Sequence, residues 1–319
     1  MDALKLAVDN LTSPAVLAFV LGAVSAWLGS DLRLPEAIHA ALSTYLLLAI
    51  GLKGGGELSH TSLGEIVGPA LAALGLSSAI PIWSYAIARR VGAFSIADSA
   101  ALAAHYGSVS VVTFTAAITF LEAANVPAEG FLPALVAMME VPAILVALLI
   151  ASVRMGNKPV GHALGEVLGG RGILLLVGGL VIGLLGGDNG MAKIAPFFVA
   201  PFQGVLVLFL LELGIIAAAR IADLRRAGPF LAVYAVLLPV AHGALGAAIG
   251  TLAGLSLGGA TVLGVLAASA SYIAAPAAVR IALPEANPGY YLAAVLAVTF
   301  PFNLTIGIPL YHQFAIWMR

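Results

Sequence analysis

The chain has 319 residues, 61% hydrophobic and 9% charged, with a net charge of −1 and no cysteine. So few charges cannot solvate the surface of a protein this size, so most of that surface must face lipid. Near-neutral charge without a basic patch excludes nucleic acid, and the lack of cysteine excludes disulfides, thiolate zinc sites and thiol nucleophiles.

The first stretch, "MDALKLAVDNLTSP", is acidic and lacks a basic leader, so it is not expected to be a signal peptide. Apolar runs bounded by Gly, Pro and charge then predict about ten transmembrane helices, near 13–29, 35–52, 63–88, 95–123, 129–153, 172–186, 197–219, 228–252, 257–284 and 288–317. The runs are continuous rather than alternating, which argues against a membrane β-barrel. An outside N-terminus puts Arg33, Arg89, Arg90, Arg154, Lys158, Arg171, Arg220, Arg225, Arg226 and Arg280 on the cytoplasmic side. Lys5, Lys53, Lys193 and Arg319 are then outside. The positive-inside rule therefore predicts both termini outside a bacterial inner (plasma) membrane.

The loop 154–171 joins two halves that resemble each other weakly. "YLLLAIGLKGGGEL" (45–58) is echoed by "LFLLELGIIAAARI" (208–221), and "ALAAHYGSVSVV" (101–112) by "VLAASASYIAAP" (265–276). "EAANVPAEGFLPALVAMMEVPA" (122–143) pairs loosely with "EANPGYYLAAVLAVTFPFN" (285–303). Five helices per half force the second half to enter from the opposite side, the inverted repeat of secondary transporters. The expected fold is thus an all-α polytopic membrane protein. Residues 1–154 form one repeat, 155–171 a cytoplasmic linker and 172–319 the inverted second repeat.

The fourth and ninth segments carry polar interruptions near mid-depth. In 95–123 these are Gly107, Ser108, Ser110 and Thr113; in 257–284, Ser269 and Ser271 precede Pro276. A glycine permits irregular backbone, and a mid-run proline suits the first turn of a new half-helix. Broken backbone at that depth belongs only where it lines a cavity or meets a ligand. Two half-helix N-termini meeting at one point make an anion site without Arg or Lys, with carbonyls of the preceding halves beside it for a cation. The substrate is therefore expected between Gly107, Ser108, Val109 and Ser110 on one side and Ser269, Ser271, Ala274 and Ala275 on the other. The alternative is ordinary small-residue packing of membrane helices.

Ionisable or polar groups inside apolar spans are candidates for the coupling ion. His105 is able to carry a proton, or to sit neutral on a backbone carbonyl. Glu140, ahead of Pro142, reads as a cation ligand, a proton carrier or half of an ion pair. Lys53 lies beside a Gly-rich turn, "GLKGGG", either folded inward as a tethered cation or snorkelling at the interface. Thr113 and Asn303 complete the set; Glu212 and His242 read as structural.

At these residues the sequence resembles the sodium-dependent bicarbonate permease family of the cyanobacterial type, over nearly the whole chain. The resemblance rests on "GLKGGGEL", "GSVSVVTFTAAITFLEAANVP", "MMEVPA", "PVAHG", "AASASYIAAP" and "LPEANPGYY", in order. It departs at Val111 and Val112, which replace Gly-Ser, at Tyr272, which replaces an acid, at Ala274, which replaces a serine, and at Lys53, which replaces a threonine. The resemblance implies bicarbonate uptake with sodium and a homotrimer. It also implies an elevator motion of a core domain (63–154 plus 228–319) against a gate domain (1–62 plus 172–227). No cofactor is expected beyond a sodium ion. A P-II-like regulatory protein is an implied partner, with little linker to grip. A proton-coupled carrier of a small carboxylate is the sibling reading. A non-transporting sensor of the same fold is a third, motivated by positions 111, 112, 272 and 274. An enzyme is not expected: H-E-x-x-H is absent, and only Ser110 with His242 offers a protease-like pair.

Overall fold

The computed structural model describes residues 3–156, 161, 165 and 168–319. Most of the expected linker 155–171, Lys158 included, lies outside the described residues. Among the described residues all regular structure is helical. Helix α1 (Ala3–Leu11) meets α2 (Pro14–Trp27) at a 51° bend. There the Ser13 side chain accepts from Val16 N–H and Pro14 opens the new helix. Then come α3 (Glu36–Leu58), α4 (Leu63–Arg90), α5 (Ile96–Gly107), α6 (Val111–Ala123) and α7 (Leu132–Arg154). The second half holds α8 (Arg171–Phe198), α9 (Phe202–Ala219), α10 (Ile221–Ala227), α11 (Pro229–Leu252), α12 (Leu257–Ala268), α13 (Ala274–Ala282) and α14 (Pro288–Trp317), the last with π-turns at Ala293–Thr299 and Asn303–Gly307.

Each of the ten expected segments contains helix, but the count of spans differs. Among the described residues eight helical segments are long and apolar enough to cross a membrane, α5 with α6 and α9 with α10 each counting as one, and nine with the bent α1–α2 pair. The segment 257–284 falls short because its break is wide, leaving pieces of 12 and 9 residues. Two boundaries also move. Helix α3 does not end at 52 in a glycine turn but runs through Gly54, Gly55 and Gly56 to Leu58. Helix α8 continues past 186 through a kink at Gly187, whose φ of 53° suits a residue without Cβ.

The α3 correction has a packing cause. Glycine costs a helix about 1 kcal/mol relative to alanine, and here it permits backbone contact with α8. A Cβ on Gly51 would sit 2.5 Å from Leu176 O, and one on Gly55 would overlap Leu180 O. From the other side, a Cβ on Gly183 would overlap Leu52 O. Gly51/Gly55 and Gly179/Gly183 thus form facing small-xxx-small pairs, the usual device for close helix approach in lipid. Helices α2 and α9 repeat it through Gly22 and Gly214, where added Cβ atoms would overlap Leu211 O and Phe19 O. The remaining long helices pack as α4 with α5 and α7, and α11 with α12 and α14.

Large apolar side chains point outward along the helices: Leu71, Leu185 and Leu237 are 65%, 81% and 60% exposed. Lipid accommodates such a surface; water would not.

The connections fall on two opposite faces. On one, Asp98 accepts the Asn287 N–H, joining the start of α5 to the start of α14. On the other, Glu129 accepts the Ser256 N–H and Arg319 donates to Leu255 O. His60 meets Asp188 at 2.8 Å on this second face. That bond and the carboxylate charge raise the His60 pKa above its usual value. The pair is therefore held while His60 is protonated and fades as pH rises through the elevated pKa. In an NMR titration His60 is expected to titrate above an ordinary histidine and to return to about 6.5 in Asp188→Asn; an unchanged midpoint would show that the pair does not form.

Candidate functional site

The two breaks lie against each other in the interior. Helix α5 reaches the crossing because residue 107 is glycine: a Cβ there would overlap the Pro81 ring and crowd Ala143 Cβ at 2.8 Å. The chain then extends through Ser108 to Ser110, and α6 starts at Val111. The Ser108 hydroxyl donates to Glu140 O at 2.9 Å, tying the break to α7. In the second break α12 stops at Ala268 and α13 starts at Ala274.

Each break donates one backbone N–H to the other. Ser110 N–H bonds the Ser269 hydroxyl oxygen at 3.0 Å, and Ser271 N–H bonds His105 O at 2.9 Å. The Ser269 hydroxyl in turn donates to Leu266 O, so its proton is committed. Ser110 differs. Its oxygen accepts from Thr113 N–H at 3.1 Å and from the Thr113 hydroxyl at 2.9 Å, which fills both lone pairs and leaves its own proton to donate. Ser271 accepts from Ala275 N–H at 3.3 Å and likewise keeps a proton to donate. The first N–H groups of α6, at Val111 and Val112, have no partner within the helix by the geometry of a helix start. The polar side of the crossing therefore presents donors, the chemistry an anion requires.

A small cavity of about 10 Å³, the room of one water, sits at this point. Val109, Ser110, Ser271 and Glu140 line it with Leu47, Val111, Gly172, Tyr272 and Ile273. None of these is basic. Glu140 is 3% exposed and its Oε2 has no hydrogen-bond partner among the described residues. The first turn of α8 passes beside it, since a Cβ on Gly172 would lie 3.6 Å from Glu140 Oε1. The Tyr272 hydroxyl approaches Ser110 without closing a bond of good geometry.

Of the expected substrate residues, Val109, Ser110 and Ser271 line the cavity. Gly107, Ser108 and Ser269 frame it, and Ala274 and Ala275 form the first turn of α13. The candidate coupling residues spread further. Thr113 caps α6. Asn303 holds the end of α12 through Ala268 O at 3.0 Å and accepts from the Tyr311 hydroxyl at 2.7 Å. His105 bonds Ala101 O through Nδ1 at 2.6 Å and stacks 4.5 Å from Tyr291. Lys53 lies in a separate chamber, 3.6 Å from Glu122, both side chains 54% exposed. Glu212 accepts the Leu34 N–H, and His242 receives Trp83 Nε1–H at 2.7 Å. The Ser110 oxygen accepts from Thr113 while His242 Nε2 accepts from Trp83, so the two side chains are not joined as a protease-like pair. Leu47, Gly172 and Ile273 escaped the sequence reading. Only the position of Gly172 next to Arg171, at a helix start, offered any signal.

The sequence matches the family described as the Na+-dependent bicarbonate transporter superfamily over residues 14–316. No curated protein matched it.

Proposed function

The chain belongs to the Na+-dependent bicarbonate transporter superfamily, and we propose that it is a secondary transporter taking up a small monoanion, bicarbonate with sodium. Membership makes it a multi-pass membrane transporter and not an enzyme. The observation that carries the substrate reading is the donor-lined crossing of two mutually bonded helix breaks with an unpartnered buried carboxylate beside it. An anion held at that crossing meets Glu140, and no basic side chain among the cavity's lining residues offsets the repulsion. In a medium of low dielectric two negative charges at that range are strongly unfavourable. A cation must come with the anion, which is the physical basis of symport here. A proton on Glu140 is the second reading, favoured by the small cavity: a proton needs no shell of oxygen ligands.

The inverted repeat is supported by the packing. The pairing of α2 with α9 has its counterpart in α8 with α3, and α4–α5–α7 has its counterpart in α11–α12–α14. These groups correspond to the gate (1–62 plus 172–227) and core (63–154 plus 228–319) of an elevator. Orientation is supported by charge: among the described residues the face of Asp98 and Asn287 carries all the cations from Arg33 to Arg280 named above except Lys158. The termini would then lie outside the inner membrane. A homotrimer remains part of the proposal, as does a P-II-like partner at the linker.

Uptake of labelled bicarbonate into proteoliposomes, under a sodium gradient or a pH gradient, tests this reading. Gradient-driven accumulation abolished by Ser110→Ala is the expected result; binding without flux would favour the sensor. In Glu140→Gln the amide removes the charge that demands a companion cation. Accumulation is expected to fall by about tenfold or more, equivalent to losing at least 1.4 kcal/mol of coupling, while anion binding persists. Undiminished gradient dependence in that variant would remove Glu140 from the coupling step.

A further inference from the structure

A second and larger cavity, of about 450 Å³, opens on the face that carries Lys53 and Glu129. Its walls come from α3, α6, the 126–130 loop and the junction of α8 with α9. It shares two helices with the small cavity at the crossing, one turn apart. On α3, Leu47 lines the small cavity and Ile50 the large one; on α6, Val111 lines the small and Phe114 the large. One turn is about 5.4 Å. All four side chains are buried, with Ile50 5% and Phe114 3% exposed, and all belong to one apolar cluster.

We propose that the 450 Å³ chamber is the outer vestibule of the transport path and that Ile50 and Phe114 form an apolar septum closing it from the anion cavity. The inference rests on the transporter reading above. An apolar constriction without a polar ladder holds neither water nor ions, so it blocks conduction while the core stays in this position. Two polar bridges cross the same chamber above the septum. Lys53 on α3 pairs with Glu122 on α6, and Gln203 on α9 donates to Thr119 on α6 at 3.0 Å. Both tie α6 of the core to helices of the gate and register the septum in its closed position. Lys53, placed among coupling residues by sequence, thereby acquires a role at the entrance instead. When the core slides, Phe114 moves with α6 while Ile50 stays with α3, and the two separate.

The natural absence of cysteine makes single-cysteine labelling a direct test. Ile118→Cys, in the chamber wall, is expected to react rapidly with a membrane-impermeant maleimide added outside intact cells. Val111→Cys, one turn beyond the septum, is expected to react at least about tenfold more slowly, the signature of an opening disfavoured by RT ln 10 or more. Adding Phe114→Ala to Val111→Cys is expected to recover about tenfold of that rate. Ile50→Ala serves the same purpose if Phe114→Ala fails to fold. Equal labelling of the two single-cysteine proteins, or a Val111→Cys that stays protected when both septum side chains are cut back, would overturn the septum. Labelling of Ile118→Cys only from the cytoplasmic side would overturn the outer vestibule. Because the readout does not depend on flux, the expected labelling pattern without any anion uptake would instead condemn the transport reading.

Discussion

Gly55→Val is expected to prevent accumulation of folded protein, and Gly178→Ala, on the partner helix, to leave it intact. Position 55 faces the backbone of α8, and an added Cβ would overlap the Leu180 carbonyl oxygen. A carbonyl inside a helix has no rotamer to escape into, so α3 and α8 would have to part. Their contact is continuous from Gly51/Gly179 to Gly55/Gly183, so parting at one point loses close packing along two turns. Ordinary overpacking costs about 1–3 kcal/mol; a clash against immovable backbone is expected above that range, against a total stability of about 5–15 kcal/mol. Gly178 lies in the same helix with nothing within 4 Å of its added Cβ, so alanine there is expected to gain up to about 1 kcal/mol of helix propensity. Gly56 is intermediate: its added Cβ meets the flexible Met191 side chain at 3.1 Å, which has room to turn aside. Thermal unfolding of the detergent-solubilised variants, followed by size-exclusion chromatography, checks the order. A folded Gly55→Val of unchanged melting temperature would show that the α3–α8 contact is not tight.

The same glycines show where sequence is legible and where it is not. A run of glycine beside a lysine reads as a turn, because in isolation each glycine weakens a helix. That Gly55 is helical and buried follows from its contact with α8 at Leu180 and Gly183, more than 120 positions away, and that Gly54 is buried follows from Pro133 on α7; no local pattern announces either partner. The breaks at 108–110 and 269–273 were legible for the opposite reason. Serine and glycine in the middle of a long apolar run have no local justification, and a lipid-buried gap in backbone bonding demands one. The residues that complete the cavity from elsewhere, Leu47 and Gly172, are ordinary in their own helices and become notable only when the fold delivers them to Glu140. The short helix α1 was missed because its nine residues include Lys5, Asp9 and Asn10; it is anchored by long-range contacts, with Asn10 donating to Leu304 O at 2.9 Å. The all-helical, multi-span character of the chain was readable from hydropathy alone, but not the count: ten spans were expected, and among the described residues eight, or nine with the bent pair, are long and apolar enough. The width of the second break was not readable either, because proline at 276 marks where a half-helix can begin and says nothing of where the previous one must stop.

Ser269→Ala and Ser271→Ala lie two residues apart in one break, and they are expected to fail in different ways. The Ser269 hydroxyl is fully used, donating to Leu266 O at 2.8 Å and accepting Ser110 N–H at 3.0 Å. Removing it strands a buried N–H at the start of α6, a loss of about 1–3 kcal/mol. It also unties one of the two bonds that hold the breaks together. The variant is expected to lose both melting temperature and maximal uptake rate, because the first N–H groups of α6 are no longer held in place against the anion. Ser269→Thr keeps the hydroxyl and is expected to restore part of each, within the room the buried site leaves for a methyl group. Ser271 holds only Ala275 N–H, at a longer 3.3 Å, and has a proton to give the anion. Its loss is expected to raise the apparent KM by about tenfold, one charge-assisted bond of 1.4 kcal/mol, with little change in melting temperature. Uptake kinetics paired with thermal unfolding separate the two outcomes. Normal uptake by Ser269→Ala would mean that the breaks keep their geometry without bonding to each other. The crossing would then be a place where two helices happen to end, with no donor set prepared for a solute.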